Sequence, residues 1–324
     1  MRSGNMTKFS LARQNNTMQP KRERERGFND NVFLYMLVFP ALAFTFMFAY
    51  IPLTGLITAF KDYDIWKGFW GSPWAGSYGF AHIIEIFTFK PITDSILNTI
   101  LISSLNLLIG FPLPILLALL FNELKVGIFK KTVQTISYMP FFLSWIAVIG
   151  LTISFFDSYG PVNDILNLIF GQARERVLYL AEQKNFIPML VGLNMWKSVG
   201  WGSIIYLASI ASIDPQLYEA ASMDGATRLQ QIRFITFPGI APTAAIVLIL
   251  SIGGILGSNF ELVFGLQNAF IDFDTIDTAI YKYGIVQRGY SMATAVGFTR
   301  GIIALGLTFM ANFISRKVSQ TSVF

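Results

Sequence analysis

The sequence contains no cysteine and only one histidine, His82. Disulfide bonds and thiolate metal sites are therefore excluded, and so is a metal centre built from several histidines. Charged residues make up only 13% of the 324 residues, whereas soluble domains carry about 25%. Together with a mean hydropathy of +0.54, this composition indicates an integral membrane protein.

Several sequence motifs of enzymes are also absent. The chain has no Gly-x-x-x-x-Gly-Lys-Ser/Thr phosphate loop, no His-Glu-x-x-His motif and no Gly-x-Ser-x-Gly motif. We therefore predict that the chain is not an enzyme and binds no cofactor or metal of its own, so that any energy must come from elsewhere. The net charge of +5 comes mostly from the N-terminal tail. It indicates membrane topology rather than nucleic-acid binding.

Long apolar runs indicate how often the chain crosses the membrane. A spanning helix needs about 20 predominantly apolar residues. Four uncharged runs exceed this length, and two further runs contain one cation each. The six runs cover residues 32–60, 95–122, 132–156, 186–210, 234–260 and 290–315. The sequence therefore predicts an all-α membrane protein with six transmembrane helices.

The distribution of Lys and Arg predicts the orientation, because cytoplasmic segments carry an excess of these residues. With the N-terminus inside, the inner segments hold fourteen of the 24 cations and the outer segments hold eight; the other two, Lys197 and Arg300, lie within spans. Both termini are therefore predicted to be cytoplasmic. The predicted organisation is a disordered basic tail, a transmembrane domain with a cytoplasmic polar loop, and a short C-terminal tail: 1–30, 31–315 with 214–237, and 316–324.

The predicted outer loops are long and rich in aromatic residues. One interpretation is an aromatic belt at the interface between membrane and water. The other is a docking surface for a protein outside the membrane. The residues concerned are Trp66, Trp70, Trp74, Tyr78, Tyr159 and Tyr179.

Two cations lie near the middle of predicted spans. Lys197 is flanked at helical spacing by Asn194 and Trp201, and Arg300 lies in the last span. A charge at this depth costs about 2.5–3.5 kcal/mol on insertion scales, and no carboxylate falls within any predicted span. We expect both cations to face a water-filled path for a negatively charged cargo. The alternative is that they bind backbone carbonyls or pair with a partner chain.

Other residues of the same spans suit a small-molecule pathway. Trp196, Trp201 and Phe260 could stack on sugar rings, and Asn259 could form hydrogen bonds with them. Aromatic residues that face lipid give the same sequence pattern, so both interpretations stay open. The predicted pathway comprises Lys197, Arg300, Asn194, Trp196, Trp201 and Asn259.

A polar loop between the fourth and fifth spans carries signals for two short helices. Asp214 is a candidate N-cap with Pro215 at the first helical position. Gly225 can end this helix in a left-handed conformation. Thr227 and Gln230 then form a capping-box pattern for the second helix. A well-capped helix pair between membrane spans indicates a surface on which another protein docks.

These residues resemble the coupling motif of binding-protein-dependent ABC importer permeases. The motif is present as Glu219-Ala220-Ala221, Asp224-Gly225-Ala226 and Ile235-Thr236-Phe237-Pro238. Phe237 stands where the family usually has Leu, and the residue stays apolar. The longer form of the motif is similar to that of the carbohydrate-uptake branch, and the resemblance covers about residues 30–320. It implies the type I ABC importer permease fold in a bacterial inner membrane.

The resemblance also implies the partners and the roles of the loop residues. In the family, two permease subunits form a heterodimer on two ATPase subunits that bind ATP and Mg²⁺, and a periplasmic solute-binding protein delivers the cargo. Within it, the chain resembles permeases that import acidic saccharides such as alginate. The expected partners are thus these proteins, membrane lipid and a saccharide, without nucleic acid. The expected coupling residues are Glu219, Ala220, Ala221, Asp224, Gly225 and Pro238.

A secondary transporter driven by an ion gradient is the alternative function. Such proteins often contain internal repeats and an intramembrane carboxylate for ion coupling. Neither feature is visible in the sequence.

Overall fold

The computed structural model describes residues 28–171 and 175–319, with side chains from residue 32 to 171 and from 175 to 314. Most of the predicted N-terminal tail and the last five residues of the predicted C-terminal tail lie outside these ranges. The α-helices are α1 Phe28–Thr45, α2 Gly68–Gly71, α3 Ala81–Thr88, α4 Lys90–Gly110, α5 Pro112–Glu123, α6 Ile128–Tyr138, α7 Trp145–Phe156, α8 Pro161–Phe170, α9 Gln183–Ala211, α10 Pro215–Met223, α11 Arg228–Gln231, α12 Phe237–Gly253, α13 Phe260–Leu266, α14 Ile276–Ala279 and α15 Tyr290–Ser319.

Short 3₁₀ and π segments connect or extend several of these helices. The 3₁₀ segments are Ile51–Phe60, Ser77–Gly79, Met139–Phe142 and Tyr179–Ala181, and the π segments are Phe46–Tyr50, Ile232–Thr236 and Ile280–Val286. Across the described ranges there is no strand, and β pairing is limited to an isolated bridge between Lys61 and Trp74. The all-α prediction is therefore confirmed.

Five helical stretches in the described ranges are long and apolar enough to cross a membrane: Val32–Phe60, Lys90–Glu123, Trp145–Phe170, Arg228–Gly253 and Tyr290–Ile314. The fourth predicted span, 186–210, corresponds to α9, which is long enough at 29 residues. It is more polar than the others because it includes Asn194, Lys197 and Ser198 among its residues. The six predicted spans therefore correspond to five apolar stretches and one more polar helix.

The third predicted span, 132–156, is wrong as a single helix. The chain forms α6, a 3₁₀ turn at Met139–Phe142 and then α7. Pro140 explains the break, because proline lacks the N–H that an α-helix needs at that point. Ser144 starts α7 by accepting a hydrogen bond from the backbone N–H of Ala147 at 3.2 Å. The stretch that is long and apolar enough to cross a membrane is therefore 145–170, which contains α7 and α8 with the extended residue Asp157 between them.

The ends of the predicted transmembrane domain also differ slightly from the helices. Helix α1 begins at Phe28, so residues 28–30 are helical rather than part of the tail. Helix α15 continues to Ser319 and thus includes the first residues of the predicted C-terminal tail.

The chain divides into two units, residues 1–54 and 55–324. In the first unit, α1 contains Pro40 and continues into the π segment Phe46–Tyr50. Its apolar side chains are mostly exposed, including Phe33, Tyr35 and Phe39. An apolar helix that is exposed all round suits contact with lipid or with another membrane helix.

The second unit is organised around α9, which packs against α4, α5, α6 and α12. One apolar cluster joins α5, α9 and α12 and includes Leu119, Tyr206 and Ile240. A second cluster joins α4, α7, α9 and α13, and a third joins α3, α4, α14 and α15. These clusters bury residues that are far apart in sequence and hold the spans of this unit together.

The three loops predicted to share the outer side contact one another. The side-chain amide of Asn268 donates to the carbonyl oxygen of Leu180 at 2.9 Å, and that of Gln183 donates to the carbonyl oxygen of Asp272 at 3.1 Å. The rings of Phe89 and Tyr283, from the first and third of these loops, meet edge to face with their centres 5.4 Å apart. These segments therefore lie at one end of the second unit, and their assignment to the outer side stays a prediction.

Candidate functional site: a helix pair at one end of the bundle and a neutral cavity within it

The first helix of the polar loop begins as the sequence predicts. The Asp214 carboxylate accepts a hydrogen bond from the backbone N–H of Gln216 at 2.9 Å, and Pro215 is the first residue of α10. This bond satisfies one of the free N–H groups at the start of the helix. The predicted N-cap is therefore confirmed.

The turn between α10 and α11 also follows the prediction. Gly225 has a φ of +81°, in the left-handed region that favours glycine. Thr227 and Gln230 form the capping box: the Thr227 N–H donates to the Gln230 amide oxygen at 2.7 Å, and the Gln230 N–H donates to the Thr227 hydroxyl at 3.4 Å. Both predictions are confirmed, and the two helices meet at a turn of defined geometry.

Three polar contacts fix the helix pair to the membrane spans and to each other. Tyr218 shares a hydrogen bond of 2.9 Å with Thr236, which lies just before α12. Gln231 donates to Ser222 at 2.8 Å, and Arg228 forms an ion pair with Glu123 at the end of α5. The α10–α11 pair therefore contacts α5 through α11 and the segment that leads into α12 through α10.

The coupling residues predicted from the sequence lie together on or beside this helix pair. Glu219, Ala220, Asp224 and Gly225 are exposed, and Ala221 is half-buried. The apolar side chains of Leu217, Met223 and Leu229 are also exposed, Met223 by 88%. Pro238 lies at the start of α12, directly after the π segment Ile232–Thr236. The pair thus presents a mixed acidic and apolar surface of the kind that suits a protein partner.

A cavity of about 780 Å³ lies between α4, α5, α9 and the segment that follows α12. Three predicted pathway residues line it: Asn194, Trp201 and Asn259. Among the described residues that line it there are polar uncharged side chains but no Asp, Glu, Lys or Arg. The cavity therefore offers hydrogen bonds and apolar ring faces, which suit an uncharged polar surface of a ligand.

Two lining residues were missed by the sequence analysis. Asn106 and Tyr206 line the cavity, and their buried side-chain oxygens form no hydrogen bond within the described ranges. Buried polar atoms normally have a partner, so these two oxygens are exceptions beside the cavity. Asn106 could have been noticed as an amide in the long apolar run 95–122, whereas only the packing of α9 places Tyr206 here.

The other three predicted pathway residues do not line this cavity. Trp196 lies on α9 and is half-exposed. Lys197 and Arg300 are directed toward partners within the protein. The structure thus places half of the predicted pathway residues together at the cavity and leaves the two cations outside its lining.

Lys197 contacts the break between α6 and α7. Its ammonium group donates to the carbonyl oxygen of Phe141 at 2.8 Å and lies 4.9 Å from the centre of the Trp145 ring. The ring of Phe141 in turn stacks on Trp201, with centres 4.5 Å apart and planes at 4°. Lys197 therefore satisfies a carbonyl that the helix break leaves free, and it supports an aromatic pair at the cavity.

We expect Lys197→Met to destabilise the protein by about 2–4 kcal/mol, through loss of a charged hydrogen bond and of cation–π contacts. The melting temperature in detergent measures this change. Lys184→Met is the matched control on the same helix, because the Lys184 side chain is 78% exposed and its ion pair with Glu182 lies at the surface. Equal melting temperatures for the two variants would contradict the assigned role of Lys197.

Arg300 has a carboxylate partner, contrary to the expectation from the sequence. It forms an ion pair with Asp277 on α14. The expectation is wrong because Asp277 lies outside every predicted span, and the fold places α14 beside α15. Asp277 also accepts hydrogen bonds from the backbone N–H and the hydroxyl of Ser258, at 2.9 and 2.8 Å.

Comparison with known proteins identifies the family of the chain. Residues 110–320 match the family described as binding-protein-dependent transport system inner membrane component. The polygalacturonan/rhamnogalacturonan transport system permease protein YteP of Bacillus subtilis is 38% identical over 294 residues, which cover 90% of each chain.

Two solved structures extend the match to three dimensions. A chain of a bacterial ABC transporter that imports the acidic polysaccharide alginate is 39% identical and superposes with a TM-score of 0.81, covering 90% of this chain and 97% of that one. A chain of the bacterial alginate ABC transporter in complex with an alginate pentasaccharide-bound periplasmic protein is 39% identical with a TM-score of 0.82, covering 92% and 100%. The chain has the ABC importer permease fold and belongs to the family of binding-protein-dependent transport system inner membrane components.

Proposed function

We propose that this chain is one of two unlike permease subunits of an ATP-driven importer of an oligo- or polysaccharide. The observation that carries the proposal is the capped and largely exposed pair α10–α11, which is fixed to α5 and α12 in a chain that has no phosphate loop of its own. Such a surface suits a separate ATPase subunit, with Glu219 in contact with its cleft. ATP and Mg²⁺ then bind to the two ATPase subunits.

Two-state coupling accounts for the transport cycle in this proposal. ATP binding closes the ATPase dimer and moves the docked α10–α11 pairs of both permease subunits. The permease pair then opens toward the periplasm and receives saccharide from a solute-binding protein, and hydrolysis restores the inward-open state. This cycle requires both termini and the α10–α11 pair to be cytoplasmic, in agreement with the excess of Lys and Arg on that side.

The cavity is the proposed saccharide pathway through this subunit. Trp201 provides a ring face for stacking, while Asn194 and Asn259 provide amides for sugar hydroxyls. Lys197 and Arg300 act on the pathway by holding its walls. Trp196, half-exposed on α9, is proposed to complete the pathway at the boundary with the second permease subunit.

The proposed cargo is acidic and similar to alginate. Two comparisons support this choice: a relative whose name specifies polygalacturonan and rhamnogalacturonan, and solved structures of alginate importers. Because the described lining of the cavity is uncharged, this chain contacts the ring faces and hydroxyls of the cargo. The binding protein and the second permease subunit are the proposed sources of contacts with its carboxylates.

The proposal is tested by purifying the chain from its native membrane and identifying the proteins that accompany it. We expect an ABC ATPase and a second permease. ATPase stimulation by the loaded binding protein is then compared for oligouronates and for the same oligosaccharides after carboxyl reduction. Loss of charge-assisted hydrogen bonds should raise the concentration needed for half-maximal stimulation about tenfold or more.

Two outcomes would contradict parts of the proposal. Equal responses to acidic and reduced saccharides would contradict the proposed recognition of the cargo's carboxylates. Purification of the chain alone, together with uptake that follows an ion gradient, would favour the secondary transporter.

A further inference from the structure

We infer that Arg300 and Asp277 are positioning residues that hold one wall of the cavity in place. The inference rests on the proposal that this cavity is the saccharide pathway. The wall concerned is the segment 254–259, which connects α12 to α13 and is called the wall segment below. Four of its six residues line the cavity: Gly254, Ile255, Gly257 and Asn259.

The first half of the wall segment is held by local backbone bonds. The N–H of Gly254 donates to the carbonyl oxygen of Leu250 at 3.3 Å, and that of Gly257 donates to Gly254 at 2.8 Å. After Gly257 the chain changes direction, and the N–H of Ser258 donates to a side chain instead, the Asp277 carboxylate at 2.9 Å. The second half therefore depends on a residue that is distant in sequence.

Asp277 holds Ser258 with one oxygen and Arg300 with the other. Its Oδ2 atom accepts from the N–H and the hydroxyl of Ser258, and its Oδ1 atom accepts from Nη1 of Arg300. The Ser258 hydroxyl also lies 2.8 Å from the hydroxyl of Thr275. Arg300 thus fixes the carboxylate orientation in which Ser258 is bound.

Arg300 also touches the wall segment directly. A β-carbon built on Gly257 would lie only 3.2 Å from Nη2 of Arg300, so the guanidinium packs beside this glycine. Asp277 and Arg300 are 20% and 29% exposed. When one partner of a buried ion pair is removed, the remaining charge needs a new partner or water. Loss of either residue should therefore draw water or a new contact toward Ser258 and displace the wall segment.

Helix α15 connects the ion pair of Arg300 and Asp277 to the rest of the protein. This helix carries Arg300 and packs along α12, where a β-carbon on Gly253 would lie 2.6 Å from the hydroxyl of Thr308. A shift of α15 relative to α14 would separate Arg300 from Asp277 and release Ser258. The ion pair therefore links the position of the last span to the shape of the cavity.

The absence of cysteine from this chain permits a direct test by labelling single introduced thiols in the whole membrane transporter. Ile255→Cys places a thiol on the wall segment, and Ser198→Cys places one on the opposite wall, on α9. We expect Arg300→Gln to raise the rate of maleimide labelling at position 255 about tenfold. Labelling at position 198 should change less than about twofold, because α9 is held by its own apolar cluster.

A double substitution separates positioning from stability. Arg300→Met with Asp277→Leu removes both charges and leaves no unpaired ion, so assembly should recover to the level of the chain with its native pair. Ser258 still lacks its acceptor, so labelling at position 255 should stay high, and the saccharide concentration for half-maximal uptake should rise more than the maximal rate falls. A double variant in which labelling returns to the original rate would overturn the inference.

The results also distinguish this inference from the proposed function. Unchanged labelling at position 255 in Arg300→Gln would overturn the positioning role, whatever happens to uptake. Raised labelling without any change in uptake would support the positioning role of the ion pair. It would at the same time contradict the proposal that this cavity is the saccharide pathway.

Discussion

Gly200→Ala is expected to prevent the assembly of a folded protein. A β-carbon at Gly200 would lie 1.9 Å from the carbonyl oxygen of Ser137 and 2.6 Å from its carbon. Both atoms belong to the backbone of α6, so rotation of a side chain cannot relieve the clash. The backbones of α6 and α9 would have to separate, and we expect a cost of about 4 kcal/mol or more.

The measurement is the yield of monodisperse protein in size-exclusion chromatography, followed by its melting temperature. Gly192→Ala is the matched control, since Gly192 lies on the same helix and a β-carbon there would have no atom within 4 Å. This control should assemble normally, and the higher helix propensity of alanine should make it equally or more stable. Normal assembly of Gly200→Ala would show that α6 and α9 are not held at this distance.

The α10–α11 pair could be predicted from the sequence because its geometry is determined locally. Each cap joins residues two or three positions apart, such as Asp214 with Gln216 and Thr227 with Gln230. The left-handed turn at Gly225 also needs only the residue itself. Local bonds of this kind form in the same way in many folds, so a sequence pattern is sufficient to predict them.

The roles of the two intramembrane cations could not be predicted in the same way. Arg300 and Asp277 are 23 residues apart, and Lys197 and Phe141 are 56 residues apart. Whether such residues meet depends on how the helices pack, which no short pattern specifies. The sequence indicates correctly that these charges need compensating contacts, because an isolated charge in the membrane is costly. For Lys197 the structure bears out the alternative of a backbone-carbonyl partner, whereas Arg300 pairs with a carboxylate of the same chain that neither interpretation included.

The same difference between local geometry and helix packing explains why the third predicted span is wrong. An uncharged run from 132 to 156 satisfies the length of a membrane helix, but Pro140 makes a break possible. Many membrane helices tolerate proline when neighbours satisfy the freed backbone groups. Here Lys197 donates to the free carbonyl of Phe141, so the break is stabilised by a residue on another helix. The break and the buried cation are thus two parts of one arrangement.

Glu219→Lys is expected to abolish saccharide uptake while the permease still folds. Glu219 is exposed on α10 and forms no hydrogen bond or ion pair within the described ranges, so its replacement should not disturb the chain itself. In the proposed complex its carboxylate contacts the ATPase, and reversal of its charge would place like charges together. We expect uptake to fall about a hundredfold, because such a contact costs several kcal/mol.

Two further variants separate the causes of this loss. Glu219→Gln keeps the size of the side chain and should reduce uptake by about tenfold or less, as expected for loss of one charged hydrogen bond. Glu175→Lys makes the same charge reversal at an exposed glutamate that precedes α9. Helix α9 is about 44 Å long and separates Glu175 from α10. Normal uptake in Glu175→Lys, together with loss of the ATPase from purified Glu219→Lys, would assign the effect to docking at α10. Normal uptake in Glu219→Lys itself would exclude α10 as the docking surface, and the contacts that fix α10–α11 to α5 and α12 would then serve the fold alone.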